Sequence, residues 1–405
     1  MRTLNIFEDP MGPSLSPKAW QELNIIKPLH LLPNLKSLDW YSATDTFVYI
    51  NLFRPPQLST LNVRVMPGTP NVIPVLMSLP VETLEELRFL DRSGDRAVQE
   101  TISNLVLRTT ATLRSIEVSE SDLSDAAIRH ITWLPNLSDA SVGFANLDVR
   151  APPPNTSFPA LRTLETGVDS KGGWKYVLRD TKDLESVVLR SPTVLPPEEV
   201  ADVFGFLISK GFHRTIHRLF LAGLEPWDLT PSVLTPLLNF GLLTRLTVTS
   251  PCDPVHCKSR LTNGALAQLA EALPQLVQLL LGDVPCRSPV REVTLAGLLP
   301  FSVHCVHLEI LQVHFSALDI PTDIPDDALS QPSDWAPPSP NHCRLSQLVV
   351  GSLPISTSGR SPMIIAYFLQ QTFPRLSKIL YTGHNSPWKE VQENIDTFQK
   401  YRLRK

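Results

Sequence analysis

The sequence predicts an α/β fold in which repeated units stack along a parallel sheet. Three observations support this prediction. The pattern apolar-x-x-apolar-x-apolar recurs thirteen times, at spacings of 23 to 37 residues. Apolar residues recur at helical spacing between these windows, and prolines recur at the corner before the strand, as in "LPNLKSLDW" and "LPNLSDASV". The 405 residues exceed the roughly 250–300 that one compact core supports, and stacked repeats remove that limit.

Each window is predicted to form one short strand. Its last two apolar positions lie two residues apart, so they share one face of the strand, and the first position turns into the same core. A single unit buries that face only by stacking on its neighbours. This is the leucine-rich-repeat signal, and it predicts a horseshoe-shaped solenoid with a concave sheet. The windows begin at Leu35, Leu58, Leu84, Leu113, Leu137, Leu161, Leu184, Ile216, Leu243, Leu276, Leu308, Leu345 and Leu376.

The segments between the windows are predicted to be irregular helical linkers on the convex side. Two of them, "DLSDAAIRHITWLPNL" and "RLTNGALAQLAEALPQL", show the helical spacing most clearly. Pro135, Pro274 and Pro374 follow such segments and disfavour continuation of the helix into the strand. The apolar stripes consist of Ala127, Ile128, Ile131 and Leu134 in the first linker and Leu266, Leu269, Ala270 and Leu273 in the second.

The two ends of the chain fit the same scheme. The opening "MRTLNI" already matches the repeat spacing, so residues 1–385 are predicted to form a solenoid of about 13 to 14 repeats. Residues 386–405 are predicted to form a C-terminal capping helix, with Ser386 as N-cap and Pro387 in the first turn. Its apolar stripe is Trp388, Val391, Ile395 and Phe398.

One linker, residues 316–341, interrupts the regular spacing. It is rich in proline, carries five aspartates and lacks lysine and arginine. This composition is typical of a surface insertion with little apolar surface to bury. The alternative interpretation is an acidic partner-binding loop anchored by Trp335.

Composition and charge argue against several classes of partner. The net charge is −4 and the pI is near 6.2, which gives no overall attraction to nucleic acid or to an anionic membrane. No apolar run approaches the ~20 residues of a membrane span, and the N-terminus lacks the apolar core of a secretory signal. The five cysteines are too sparse for a disulfide framework. We therefore expect a cytoplasmic or nuclear protein that binds neither nucleic acid nor membrane.

The sequence predicts no catalytic site, no metal and no cofactor. Walker loops, GxGxxG, HExxH, GxSxG and paired CxxC motifs do not occur in it. A set of cysteines and histidines leaves a metal site as the alternative. Its spacing is unlike that of zinc ribbons, and Cys305 and Cys343 sit just before strand leucines, where a buried thiol packs well. The set comprises Cys252, His256, Cys257, Cys286, His304, Cys305, His307, His342 and Cys343.

The outward positions of the strands indicate where a partner binds. In a window beginning at residue n, positions n+2, n+4 and n+6 point away from the core. These positions are polar in the first half, with Glu117 and Glu165, and apolar beside arginine in the second. Exposed apolar residues flanked by arginine resemble an interface core and its anchors. Alternatively, the later linkers or the insertion cover these strands. The predicted partner-binding residues are Val188, Arg218, Phe220, Arg245, Thr247, Leu280 and Ile310.

The proline-led windows "LPNLKSL", "FPALRTL" and "FPRLSKI", with "LSDAAIRHI" before "LPNL", resemble the leucine-rich-repeat region of fungal F-box proteins. This resemblance covers nearly the whole chain. It implies that the repeats hold a protein to be ubiquitylated, while a short N-terminal F-box docks on the adaptor of a cullin-RING ubiquitin ligase. No leucine- and proline-rich helical box precedes the first repeat, so a ligase adaptor is an implied partner only if an F-box lies upstream of Met1.

The leading hypothesis is a non-catalytic recognition module, the substrate-binding repeat region of an F-box-type ubiquitin-ligase subunit. The first alternative is a leucine-rich-repeat scaffold or regulator that acts without a ligase. The second alternative, from a different functional class, is a metal-dependent enzyme that uses the cysteine and histidine set.

Overall fold

The chain forms two compact units, Met1–Leu184 and Glu185–Lys405, which we call unit one and unit two. The structure, a computed structural model, describes residues 2–7, 16–26, 31–42, 45–53, 55–69, 71–143, 158–167, 175, 178–179, 181–191, 196–223, 229–249, 251, 260–282, 292–318, 342–351, 355, 361–382 and 386–402.

Among the described residues, unit one contains seven parallel strands whose order in the sheet follows the chain. They are β1 (Thr3–Phe7), β2 (Ser37–Ser42), β3 (Thr60–Val65), β4 (Glu86–Asp91), β5 (Ser115–Asp122), β6 (Asp139–Gly143) and β7 (Thr163–Gly167). The connections include the helices α1 (Pro17–Ile26), α2 (Val72–Met77), α3 (Arg96–Val106) and α4 (Asp125–Thr132), and a 3-10 helix at Asp45–Phe53.

The described part of unit two also contains seven parallel strands in chain order. They are β8 (Ser186–Ser191), β9 (Arg218–Gly223), β10 (Arg245–Thr249), β11 (Gln278–Leu281), β12 (Ile310–Gln312), β13 (Gln347–Gly351) and β14 (Lys378–Tyr381). Its helices are α5 (Pro197–Ser209), α6 (Pro231–Leu234), α7 (Asn263–Ala272), α8 (Leu299–His304), α9 (Ser361–Thr372) and α10 (Trp388–Arg402). Short 3-10 helices lie at Phe212–Arg214, Thr235–Asn239 and Leu295–Leu298.

The predicted fold class, an α/β leucine-rich-repeat solenoid with a parallel sheet, is confirmed. All thirteen windows form strands, each beginning two residues after the first position of its window, and β1 covers the additional match at the start of the chain. The register keeps equivalent residues opposite one another, so that Leu246 pairs with Leu219 on one side and with Leu279 on the other. Each repeat of the sequence therefore forms one structural repeat, and equivalent residues of neighbouring repeats lie side by side.

The apolar positions of the pattern form the core. In the first window Leu35, Leu38 and Trp40 are buried, and in unit two Leu219, Leu246 and Leu279 are all fully buried. In each strand, the side chains between these apolar residues point to the opposite face of the sheet. This alternation arises because successive side chains of a strand point to opposite sides of the sheet.

Two linkers predicted to be helical form α4 and α7. Both helices have an N-cap that accepts a hydrogen bond from the first turn, Ser124 from the Ala127 amide at 3.3 Å and Thr262 from the Ala265 amide at 3.1 Å. Such caps satisfy amides that have no partner within the helix. The apolar residues predicted for both stripes are buried.

A ladder of hydrogen bonds joins successive repeats at the corner before each strand. In unit two the Thr244 amide donates to the carbonyl of His217 at 2.8 Å, and the Val277 amide donates to the carbonyl of Thr244 at 2.7 Å. The Thr244 hydroxyl donates to the same His217 carbonyl at 3.0 Å. These hydrogen bonds fix the register of each strand relative to its neighbour.

Helix α10 covers the edge of the last strand, β14, at the segment predicted to be a capping helix. Trp388, Val391 and Ile395 are buried. The Ile379 amide donates to Gln392 Oε1 at 2.6 Å, and Gln392 Nε2 donates to the Ser377 carbonyl at 3.0 Å. The helix thereby supplies both a core face and hydrogen-bond partners for an edge strand that has no next repeat.

Most of the predicted insertion, residues 319–341 with Trp335, lies outside the described residues. Its first residues are part of the fold of unit two. Ser316 forms a parallel bridge with Thr294, Ala317 forms one with Ile355, and both Ser316 and Ala317 are buried.

Candidate protein-binding surface

The candidate surface is the face of β8 to β11 in unit two that is turned away from the core. One set of outward residues, which we call the apolar row, lies in register across the four strands. Phe220 pairs with Val188 on one side and with Thr247 on the other, and Thr247 pairs with Leu280. The structure thus brings together four of the residues predicted from the sequence to bind a partner.

The members of the apolar row differ in exposure. Val188, Phe220 and Leu280 are partly exposed, whereas Thr247 is only 8% exposed. Sequence reasoning placed Thr247 on an open surface, and the structure corrects this. Its neighbours in the row, Phe220 and Leu280, have larger side chains, so the smaller threonine is recessed between them.

A second set of outward residues, which we call the donor row, lies two positions earlier in the same strands. Arg218 pairs with Ser186 and with Arg245, and Arg245 pairs with Gln278. All four side chains are able to donate hydrogen bonds. The predicted binding residues Arg218 and Arg245 are therefore immediate neighbours on adjacent strands.

The donors of this row are not used within the described part of the chain. Arg218 and Arg245 are both exposed, and neither guanidinium forms a hydrogen bond or an ion pair with another described residue. The Ser186 hydroxyl is buried and also has no hydrogen-bond partner among the described residues. The two exposed guanidinium groups, which have no partner among the described residues, leave donors available for a ligand.

Sequence reasoning missed Arg190 as part of this surface. Its guanidinium carbon lies 5.3 Å from the centroid of the Phe220 ring, a distance at which a cation is attracted to the face of an aromatic ring. Arg190 occupies the third outward position of β8, so the period of the strand could have identified it. The contact with Phe220 is diagonal, between residues that are not register partners.

Ile310 lies on the same face, but it continues the donor row. It pairs with Gln278 on one side and with Gln347 on the other. The residue opposite Leu280 is Gln312, which is 8% exposed and donates through Nε2 to the carbonyl of Gly282 at 2.6 Å. The apolar row therefore ends at a polar residue on β12.

The outward face of unit one has a different character, as predicted. Arg88 lies 3.9 Å from Glu86 and 3.8 Å from Glu117, and the Ser119 hydroxyl donates to Glu117 at 3.3 Å. Arg88 thus has acidic partners on its own strand and on the neighbouring strand. This pairing distinguishes it from Arg218 and Arg245 of unit two.

The described cysteines of the proposed metal set are structural. Cys305 and Cys343 are both fully buried. The Cys305 thiol donates to the carbonyls of Ala270 and Leu273, both at 3.5 Å, and the Cys343 thiol donates to the carbonyl of Cys305 at 3.4 Å. Burial raises the pKa of Cys305 to about 12 and also raises the pKa of Cys343. A metal ligand must be a thiolate, and this environment disfavours one.

No group of three or more histidine, cysteine or acidic side chains suited to a metal occurs within the described ranges. The remaining cysteines, Cys252, Cys257 and Cys286, and His256 lie outside them. The helices that the structure describes include none that is both long enough and apolar enough to cross a membrane.

The repeated strand register and the stacked core define a protein of the leucine-rich-repeat class. No protein-family model matches the chain, and no curated protein sequence does either. Among solved structures, a chain of the yeast Rad7 and Elc1 complex is similar at 12% identity and a TM-score of 0.45, over 91% of this chain and 85% of that one. The leucine-rich-repeat-containing protein LegL7 of Legionella pneumophila is similar at 12% identity and a TM-score of 0.34, over 96% of this chain and 98% of that one. Similarity of this degree is not informative about function.

Proposed function

We propose that the chain is a non-catalytic protein-recognition module, and that the outward face of β8 to β11 binds its partner. The observation that carries this proposal is the pair of exposed arginines, Arg218 and Arg245, which have no partner in the described part of the chain and lie beside the partly exposed apolar row. Interfaces of this kind combine a desolvated apolar centre with arginine anchors. The surface offers both on adjacent strands of one unit.

The strands present these side chains rigidly. Leu219 and Leu221, which flank Phe220 in β9, are fully buried, and β9 is paired on both sides. Because the backbone is held by the core and by two neighbours, binding orders little of the protein. A preorganised surface loses less conformational entropy when a partner binds.

The module is tested by quantitative affinity capture from native cells. Partners captured by the wild-type chain should be reduced about tenfold or more by the double change Phe220→Ala and Arg245→Glu, since a hot-spot residue contributes roughly 1–4 kcal/mol. Glu117→Ala, on the outward face of unit one, is the control and should leave capture unchanged. Equal capture by the double variant, with an unchanged melting temperature, would show that another surface binds the partner.

We further propose that the module is the substrate-binding repeat region of an F-box-type ubiquitin-ligase subunit, acting in the cytoplasm or nucleus. The proline-led repeats that resemble fungal F-box proteins support this role. The affinity-capture experiment with the wild-type chain also tests this ligase role. Recovery of a ligase adaptor and a cullin with the chain supports the role, whereas recovery of other partners without them supports a ligase-independent scaffold or regulator.

A further inference from the structure

We infer that the partner binds through an extended acidic peptide segment in which acidic and apolar residues alternate. The inference deepens the proposed function and rests on it. In this arrangement carboxylates contact the donor row, and the apolar side chains between them contact the apolar row. Three features of the surface lead to it: its charge, its length and the spacing of its two rows.

The charged residues at the outward positions of this surface are all arginines. The outward positions of β8 to β11 include Arg190, Arg218 and Arg245 and no acidic residue. The two arginines of the donor row are exposed and lack an ion-pair partner within the described chain. Arginine binds carboxylates through two parallel hydrogen bonds. Adjacent guanidinium groups with no counter-charge among the described residues are complementary to an acidic segment.

The length of the donor row favours a ligand that carries several anionic groups along one segment. Neighbouring strands lie about 4.8 Å apart, so the four positions from Ser186 to Gln278 span roughly 14 Å. An extended peptide that crosses the strands covers this distance with about four to five residues. A single phosphate group concentrates its charge at one point of the row, whereas carboxylates on alternate residues spread theirs along it. Two or three carboxylates on alternate residues of one segment can contact both guanidinium groups and the Gln278 amide.

The distance between the donor row and the apolar row predicts that acidic and apolar residues alternate in the bound peptide. The donor row and the apolar row lie two residues apart along each strand, which is about 6.6 Å. A peptide extended across the strands between the two rows points successive side chains in opposite directions. One set of its side chains therefore faces Arg218 and Arg245, and the other set faces Phe220 and Leu280. Acidic residues suit the first set and apolar residues suit the second.

The inference is tested with fluorescently labelled synthetic peptides and the full chain, by fluorescence anisotropy at low and moderate salt. The first peptide alternates glutamate and leucine, and the second has the same composition with glutamates and leucines in separate blocks. A third replaces the glutamates by a single phosphoserine flanked by neutral residues. We expect saturable binding of the alternating peptide, at least about fivefold tighter than the block peptide, and weaker binding at higher salt.

Matched variants identify the residues involved. Arg218→Gln with Arg245→Gln should weaken binding of the alternating peptide about tenfold. Arg64→Gln, which removes an exposed arginine from the outward face of unit one, should leave it unchanged. Circular dichroism melting confirms that both variants are folded, which is expected because the replaced side chains are exposed.

Three results would overturn the inference: equal binding of the alternating and block peptides, binding that is insensitive to the double arginine change, or binding of the phosphopeptide alone. These outcomes are separable from failure of the proposed function. If the change at Phe220 and Arg245 abolishes partner capture while no acidic peptide binds, the recognition surface stands and the alternating acidic segment is wrong.

Discussion

Single residues in the strands of unit two have one of two roles, depending on which face they occupy. Leu279 is fully buried, while its neighbours Gln278 and Leu280 are partly exposed on the opposite face. The same one-residue step separates Leu219 from Phe220 in β9. The buried positions stabilise the fold and the alternate positions carry the proposed binding, so a substitution can test either role alone.

Replacement of Leu279 by aspartate tests the assignment of the core face. The change buries a carboxylate without a partner and should lower the free energy of unfolding by about 3–5 kcal/mol, since stacked repeats depend on their neighbours. Gln278→Asp, one residue away, should stay within about 1 kcal/mol of the wild type. Thermal melting followed by circular dichroism measures both. A wild-type melting temperature for Leu279→Asp would mean that the register is wrong.

The buried thiols give a second prediction at the level of residues. Burial raises the pKa of Cys305 from its usual 9.0 to about 12, so the thiol stays protonated in the folded chain. Its contribution to stability is complete below pH 9 and is lost as the pH rises towards 12. We expect alkylating reagents at pH 8 to leave Cys305 and Cys343 unmodified until denaturant is added, as measured by mass spectrometry of peptides. Rapid alkylation of the folded chain would contradict this description.

At the scale of secondary-structure elements, helix α10 completes the edge of the sheet in unit two. An edge strand has backbone groups without a neighbouring strand. Gln392 accepts from the Ile379 amide and donates to the Ser377 carbonyl, and Gln399 donates to the carbonyl of Leu376 at 2.6 Å. Side chains of the helix thus replace part of the hydrogen bonding that a further strand would provide.

Substitution of Gln392 tests this role of the helix. Gln392→Ala leaves the Ile379 amide, in a residue that is 4% exposed, without its partner and should destabilise the chain by about 1–3 kcal/mol. Lys389→Ala is the matched control on the same helix, because its ion pair with Glu393 is exposed on both sides and should contribute about 0–1 kcal/mol. Denaturant unfolding measures both variants. Equal stability of the two would show that α10 does not complete the edge.

Across the whole chain, the repeat period of the sequence predicts most of the fold, because each strand begins at the same position of the repeated apolar pattern. Leucines such as Leu219, Leu246 and Leu279 recur at one position, and stacking brings them into register. Contacts between neighbours on the outward face are less predictable. The approach of Arg190 to Phe220 and the recessed position of Thr247 depend on rotamers and on the sizes of adjacent side chains, which no periodic pattern encodes. That the Ser186 hydroxyl has no partner among the described residues is a result of packing for the same reason.

The central claim is that the outward face of β8 to β11 contacts the protein partner, and photo-crosslinking tests it most directly. A photoreactive benzoylphenylalanine replaces Phe220 in one preparation and Glu117 in another, and each chain is irradiated with a captured partner and examined by mass spectrometry. We expect covalent crosslinks to the partner from position 220 and few or none from position 117. Crosslinks that form at position 117 but not at position 220, while the partner remains bound, would contradict it.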